Sequence, residues 1–571
     1  MQDSLVSLCR QSLVLAARTV FISGFSALAL FALSAIYLLY VIILGHVRAY
    51  RSPLQHVPGP KESHWLKGNF VDVQEPDSSR LQEEWVRTYG HVVRYHAHFG
   101  ALRLLTVDPV AVAYILQNGE IFQKLDFLKF SLGSGEGLLI VEGAQHRKQR
   151  KIMNPAFGPA QVRKFTSLFL EKSLELRDIW ADLISKSTRK DGKLGLDTFT
   201  WLNKVTLDII GLAGFDYAFN SLHSPDDKQN ELYESVRSML TIKVGEIMFV
   251  LQLFFPLFRP IPTARSRALN RSLEVVQRIG SQLIRDKKAA VLAELSSDAS
   301  VVVEKHDVQG HDLLSLLIKS NIASDIPESK RMSDEEIISQ LPTFLVAGHE
   351  TSSTAIAWAL FALSYHPAVQ TTLRAELRTC PTDMPTMDQL NALPYLEGVV
   401  REVLRINAPV SATQRFAMHD AEIPLQKPFK DNRGIMQSSI RLSKGDTITI
   451  PIHLLNRSTE IWGDDANEFR PERWESVPEA AHAVPSVYGH LATFIAGAHA
   501  CIGYRFSCRR VRDAHAIKAI LFTLVRAFEF ELALPAEDIV RRTSIVGRPV
   551  VASNLAAGPQ LPLLIRPANL D

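Results

Sequence analysis

Cysteine is scarce in this chain: Cys9, Cys380, Cys501 and Cys508 are the four in 571 residues. So few exclude a disulfide framework, and no two have the close spacing of a zinc finger. They read as reduced thiols in or facing the cytosol, with room for one that has a chemical role. An excess of one charge is also lacking. The formal net charge is +3, so composition gives no sign of a nucleic-acid partner, and any basic docking surface must be local. No internal repeat is visible, which excludes a solenoid. His349-Glu350 begins the pattern of a zinc-binding helix, but that pattern needs a second histidine at 353, where Ser353 stands.

Charge is absent altogether from Val20 to Gly45. As a helix this run is about 39 Å long, against a hydrocarbon core of about 30 Å. A single membrane-spanning helix is expected. Ala27-x-Ala29 faintly resembles a signal-cleavage site, but signal cores run to only about 7–15 residues, and most of this run lies beyond it. Arg10 and Arg18 precede the run and Arg48 and Arg51 follow it, so flanking charge does not decide its orientation. Pro53-Leu54-Gln55-His56-Val57-Pro58-Gly59-Pro60 then forms a stiff connector, because prolines fix φ and remove donors. The expected organisation is an anchor over 1–46, a Pro-rich hinge over 47–60 and one catalytic domain over 61–571. A second uncharged stretch, Ile247–Phe258, is interrupted by Pro256. It is too short to span, so it reads as a surface dipping into the bilayer interface.

The longest helix signal starts at Ser333, which forms a capping box with Glu336. It stops at His366-Pro367, and Pro342 inside it predicts a kink. A helix so apolar on all sides should cross the interior. The polar stretch from Ser296 to Ser333 breaks the helical patterning and is expected to hold a surface loop. Another helix is expected near Leu396–Ile406, a hairpin at LSKGDTITIP with Lys444-Gly445-Asp446 as its turn, and a last helix from Ile502 to Phe528. Sequons occur at Asn270 and Asn456 and matter only in a lumenal domain.

Four motifs carry chemistry. Phe494-Ile-Ala-Gly497-Ala-His499-Ala-Cys501-Ile-Gly503 sets a cysteine where a helix begins, and backbone N–H groups and the helix end there favour a thiolate. Gly497 and Gly503 allow close approach of backbone to a flat ligand. By the same reasoning Cys508, two turns into the helix, is structural. Ala347-Gly348-His349-Glu350-Thr351-Ser352 places a carboxylate in an apolar helix, which is costly unless it has a partner or a task. Thr351 can bond back to the carbonyl four residues earlier. Glu402 and Arg405 share a helix face. Gly143-Ala-Gln-His146-Arg147-Lys148-Gln-Arg150-Lys151 begins a basic helix.

In order and spacing these motifs resemble the cytochrome P450 family over roughly residues 50 to 565. The family's F-x-x-G-x-R-x-C-x-G, A/G-G-x-D/E-T-T/S and E-x-x-R patterns stand here as FIAGAHACIG, AGHETS and Glu402–Arg405, with Arg473 of the P-E-R-W segment as third member. Two positions depart. His499 replaces the usual arginine of the cysteine loop, and His146 replaces the tryptophan of W-x-x-x-R, whose arginine is Arg150. The anchor and the Pro-Gly-Pro hinge are similar to the microsomal type, and AGHETSS and HACIGYRFS look fungal.

The resemblance implies a mainly α, triangular haem-thiolate monooxygenase fold with a small β region, behind one N-terminal transmembrane helix. It implies haem b with Cys501 as the axial iron ligand. Arg150, His146, Arg415, His499, Gly497 and Gly503 would surround the cofactor, Thr351 and Glu350 would deliver protons, and Glu402, Arg405 and Arg473 would lock the fold. Phe344, Leu345, Ala347, Val410, Thr413 and Ile545 would meet a lipophilic substrate, a terpenoid or sterol. Electrons would come from NADPH through a cytochrome reductase, a flavoprotein docking on the basic face around Arg147, Lys148, Lys151, Arg505, Arg509, Arg510 and Arg512. The implied location is the endoplasmic reticulum membrane, single-pass, with a cytosolic catalytic domain and no nucleic-acid partner. A haem-thiolate isomerase or dehydratase, and a non-catalytic haem-dependent sterol-binding protein, are the alternatives. An intact Glu350-Thr351 argues against the isomerase.

Overall fold

The structure, a computed structural model, describes residues 36–37, 39–69, 72–73, 78–124, 136–187, 192–225, 230–240, 252, 261–297, 312–322, 327, 331–507, 516–543 and 545–569. Most of Val20–Gly45, nearly all of Ile247–Phe258, and Cys508, Arg509, Arg510 and Arg512 lie outside these residues. Among the described residues no helix is long and apolar enough to cross a membrane.

The helices of eight residues or more, from Ser78 on, are numbered in chain order. They are α1 (Ser78–Tyr89), α2 (Pro109–Gln117), α3 (Gly143–Met153), α4 (Thr166–Ser185), α5 (Thr198–Phe215) and α6 (Glu231–Leu240). Then follow α7 (Ala264–Ser297), α8 (Leu313–Ile322), α9 (Thr351–Tyr365), α10 (Pro367–Arg378), α11 (Pro394–Ile406) and α12 (Ala516–Ala527). Five strands form the largest sheet: β1 (Val92–His96), β2 (Leu102–Thr106), β3 (Phe122–Gln123), β5 (Thr413–Ala417) and β8 (Thr447–Ile450), in the order β1-β2-β8-β5-β3. The smaller sheets are β4 (Leu194–Asp197) with β12 (Pro562–Pro567) and β9 (Phe528–Leu532), the ribbon of β6 (Ala421–Lys430) and β7 (Met436–Leu442), and the ribbon of β10 (Ile539–Thr543) and β11 (Gly547–Val551).

The interior is built around α9. Ser352 to Leu360 are all buried, so the helix has no polar face to give to water. It is packed by α5, α11, α12 and β11. The capping box forms as expected: Ser333 accepts from the Glu336 N–H, and Glu336 accepts from the Ser333 N–H. The helix does end at His366, where Pro367 starts α10.

The kink expected from Pro342 is a break at Ser339, one turn before it, between short helices Asp334–Ile338 and Gln340–Leu345. A proline tolerates the first turn of a helix, so the chain re-starts just ahead of it. The expected hairpin at LSKGDTITIP does not form. The turn is there, with Gly445 at φ +99° and the Asp446 N–H on Ser443 O. But β7 pairs with β6, while β8 is taken by β2 and β5. The span from Ser296 to Ser333, expected to hold a surface loop, is described only in part. It contains α8, capped by Asp312, which accepts from the Ser315 N–H at 2.9 Å. Leu313 to Asn321 are buried throughout, so the sequence shows no amphipathic period to betray the helix.

Candidate active site

The cysteine loop hangs between α2 and the short helix Tyr504–Ser507, which starts two residues later than expected. Its end is tied by the Cys501 N–H to Phe494 O at 2.9 Å. Gly497 takes φ +73°, and a Cβ there would lie 2.1 Å from Leu116 O of α2. Only glycine fits there against the protein's own backbone. A Cβ on Gly503 would meet nothing closer than Cys501 Sγ at 3.9 Å.

Cys501 is exposed, as are Gly497 and Ala498, although the loop's flanks Phe494 and Ala500 are buried. Burial nonetheless pushes the Cys501 thiol above its ordinary range. The N–H groups of Gly503 and Tyr504 and the Arg150 guanidinium pull the other way without prevailing. Both facts suit a thiol that lines an interior hollow. Ala347 is likewise exposed on an otherwise buried helix, and Thr351 is half-buried. Val346–Glu350 is a π-helical segment, a form common at functional sites. Thr351 Oγ1 donates to Ala347 O at 2.6 Å, the back-bond its sequence position suggests. Gly348 faces the other way, and a Cβ there would meet Ile210 of α5 at 2.7 Å.

A cluster of cations gathers beside the loop. Arg150 of α3 donates to Ala500 O, the carbonyl just before the cysteine. Arg415, carried in by β5, is 2 % exposed, and its Nη1 donates to Thr413 Oγ1 at 2.6 Å and Gln414 O at 2.8 Å. Burial pushes it down to about 10. Among the described residues no carboxylate forms an ion pair with it. His146 and His499 stand ring to ring at 4.4 Å. Burial, then neighbouring His499 and Lys124, push His146 down to about 3. His499 Nε2 meets Glu142 Oε2 at 2.7 Å, and Lys124 lies 3.6 Å from Glu142. Burial would raise Glu142, but the His499 bond and Lys124 hold it at about 2. Sequence reading missed Glu142 and Lys124. An acid immediately before a basic helix was the only available signal, and only for Glu142.

Behind the loop, Glu402 and Arg405 are fully buried and paired through two hydrogen bonds of 2.9 and 2.8 Å. Arg473 Nε joins Glu402 at 3.3 Å and its Nη1 joins Asp465 at 2.5 Å, so the expected triad is a tetrad. Arg405 also donates to the carbonyl of Asn456 at 3.0 Å. The Asn456 side chain accepts from the Ala492 N–H and donates to Thr493, which bonds Leu404 O. The network thus reaches the base of the cysteine loop. Asn456, read as a sequon, is 0 % exposed and committed to this lattice, so the folded chain offers no acceptor there.

The chain thus presents an accessible thiol, a helix opened at Val346–Glu350, and a buried arginine with no carboxylate ion pair among the described residues. Across residues 58–549 the chain matches the family model described as Cytochrome P450. The chain belongs to the cytochrome P450 family. It is 49% identical over 520 residues to cytochrome P450 monooxygenase 205 of Postia placenta, covering 90% of this chain and 93% of that one. Cytochrome P450 monooxygenase 128 of the same fungus is 45% identical over 522 residues, with the same coverage. Cytochrome P450 monooxygenase claW of Ampulloclitocybe clavipes is 31% identical over 524 residues, again at 90% and 93%. The chain is therefore a P450 monooxygenase, and the family implies haem. The residues fit that group: an accessible interior thiol for iron, and Arg415 with His499 and Arg150 nearby for its carboxylates.

Of the expected substrate contacts in this P450, Leu345 is fully buried, and Phe344 is 6% exposed and packs edge-on against Phe157 at 5.7 Å and tilted against Phe215 at 6.1 Å. Ala347 is exposed, Val410 and Thr413 half-buried, and Ile545 is 38 % exposed. On the basic face, Lys148 is bound to Glu336 at 2.7 Å and Arg147 to Glu120, while Lys151 is exposed.

Proposed function

We propose that this P450 oxidises a lipophilic small molecule, a terpenoid or sterol of secondary metabolism, using O2 and electrons from an NADPH-dependent flavoprotein reductase. The observation that supports it is the accessible Cys501 thiol together with the opened Val346–Glu350 segment, where Ala347 is exposed and Thr351 half-buried. Haem b held by Cys501 would supply oxygen activation, with the thiolate favouring O–O cleavage. Arg415, His499 and Arg150 hold its carboxylates, and His146 packs on His499. Thr351 hands protons on at Oγ1, and its bond to Ala347 O fixes where that oxygen sits. Glu350 supplies the carboxylate of the pair. Ala347, Val410, Thr413 and Ile545 orient an apolar substrate and exclude water. Glu402, Arg405, Arg473 and Asp465 keep the loop's base in register.

Residues 1–46 form the anchor and 47–60 the hinge in this reading, with the domain over 61–571 on the cytosolic side of the endoplasmic reticulum. The uncharged run Val20–Gly45 supports it. Removing residues 1–45 should free the protein from membranes at high salt, leaving at most weak residual binding. A screen of terpenoids and sterols for ferric spin-state shifts, followed by reconstitution with a P450 reductase, tests the substrate class. No shift and no product across both classes, with polar aromatics accepted instead, would overturn it.

A further inference from the structure

The carboxylate of Glu350 does not stand free in the opened segment of the central helix. Arg548 Nη2 donates to its Oε2 at 2.6 Å, and the two side chains are 30% and 13% exposed. Arg548 lies on β11, three residues past Ile545 at the tip of the β10–β11 ribbon. The same ribbon is fixed to α9 by Trp358 Nε1 on Gly547 O at 2.9 Å, and Arg541 stacks over the Trp358 ring at 5.2 Å. Two more groups close the surroundings. His349 is bonded by Nδ1 to Leu345 O at 2.7 Å, and Tyr233 of α6 packs edge-on against it at 5.4 Å. Glu350 therefore has a cation on one side and packed rings close by.

We infer that Arg548 is a positioning residue for oxygen chemistry, holding Glu350 toward β11 on the ribbon that also presents Ile545 to the substrate. The inference rests on the proposed role of Glu350 and Thr351 and extends it. A half-buried carboxylate with a short bidentate-capable partner is oriented far more tightly than a free one. Without Arg548, among the described residues the Glu350 carboxylate loses the ion pair that fixes its orientation. What the ribbon does when a substrate presses on Ile545 is then transmitted to the acid through one residue.

The test needs no identified substrate. In a reconstituted system without substrate, electrons leave O2 by two balanced routes. One NADPH and one proton yield one hydrogen peroxide, or two NADPH and two protons reduce one O2 to two waters. The second route needs more proton delivery at the distal side. The peroxide yield per NADPH is measured for wild type, Arg548→Leu, Arg548→Lys, Glu350→Gln, Thr351→Val and the Arg548→Leu/Glu350→Gln double variant. The infrared stretch of carbon monoxide on the ferrous protein is recorded for each as a second readout, since it senses distal polar groups without turnover. Arg548→Leu should shift both the yield and the band, with Arg548→Lys returning most of the way. The double variant should match Glu350→Gln alone, because Arg548 acts through Glu350. Additive effects, or an Arg548→Leu protein with wild-type yield and band while Glu350→Gln moves both, would overturn the inference alone. If neither Glu350→Gln nor Thr351→Val moved either readout, the proton-delivery reading and this inference would fall together.

Discussion

Glu402→Gln isolates the electrostatics of the buried network while keeping its shape. In the native chain the Glu402 carboxylate accepts from Arg405 twice, from Arg473, from the Arg470 N–H at 3.0 Å and from Trp474 Nε1 at 3.1 Å. The amide offers one acceptor and turns an NH2 group toward donors. Arg405, 0% exposed, is left with carbonyls only, and Arg473 keeps Asp465. Removing one partner of a buried ion pair costs about 3–5 kcal/mol, because the remaining charge stays desolvated. Unfolding entropies near 2.1 cal/mol/K per residue give about 1 kcal/mol per kelvin for a domain this size. The midpoint should therefore fall by about 3–5 °C, measured at one fixed scan rate because so large a chain unfolds irreversibly. The network also runs through Asn456 and Thr493 to the cysteine loop. The ferrous-carbonyl Soret band should lose part of its far-red position, on warming sooner than in wild type. A midpoint within about 1 °C of wild type, with the band unchanged, would refute the reasoning.

The remaining expectations are brief. Cys501→Ser should abolish the far-red carbonyl band and Cys508→Ser should keep it, and the reverse result would mean the loop is wrongly assigned. Thr351→Val keeps volume but loses the hydroxyl that bonds Ala347 O. NADPH consumption should continue while product falls and hydrogen peroxide makes up the difference, with haem content normal. Product still matching NADPH consumed would remove Thr351 from proton delivery.

What could be read in advance was local. The capping box at Ser333, the back-bond of Thr351, the end of the helix at His366 and the Glu402–Arg405 pair all lie within four residues of their partners, where helical periodicity fixes the geometry. What was missed was distant. Nothing in LSKGDTITIP says that β8 is taken by β2, over three hundred positions earlier, instead of by its neighbour. Asp465 and Asn456 enter the network only because the irregular segment after β8 folds back on α11.

Among the described residues, the charges of the site divide into those the protein pairs itself and one that it does not. Glu402 has two guanidinium groups, Glu350 has Arg548, and Glu142 has His499 and Lys124. Arg473, Arg548 and His499 come to their carboxylates from far away in sequence, so these pairs also sew elements together. Arg415 differs. It sits buried on β5 with a hydroxyl and a carbonyl, and with Glu142 close enough only to offset part of its desolvation. An uncompensated buried cation costs several kcal/mol, and the alternatives to tolerating that cost are to deprotonate or to receive an anion. A guanidinium pushed only to about 10 stays charged at neutral pH. The remaining course is an external anion, and a carboxylate-bearing cofactor held by Cys501 would supply one. Arg415 would then bring a full positive charge to it, where His499 is already engaged by Glu142.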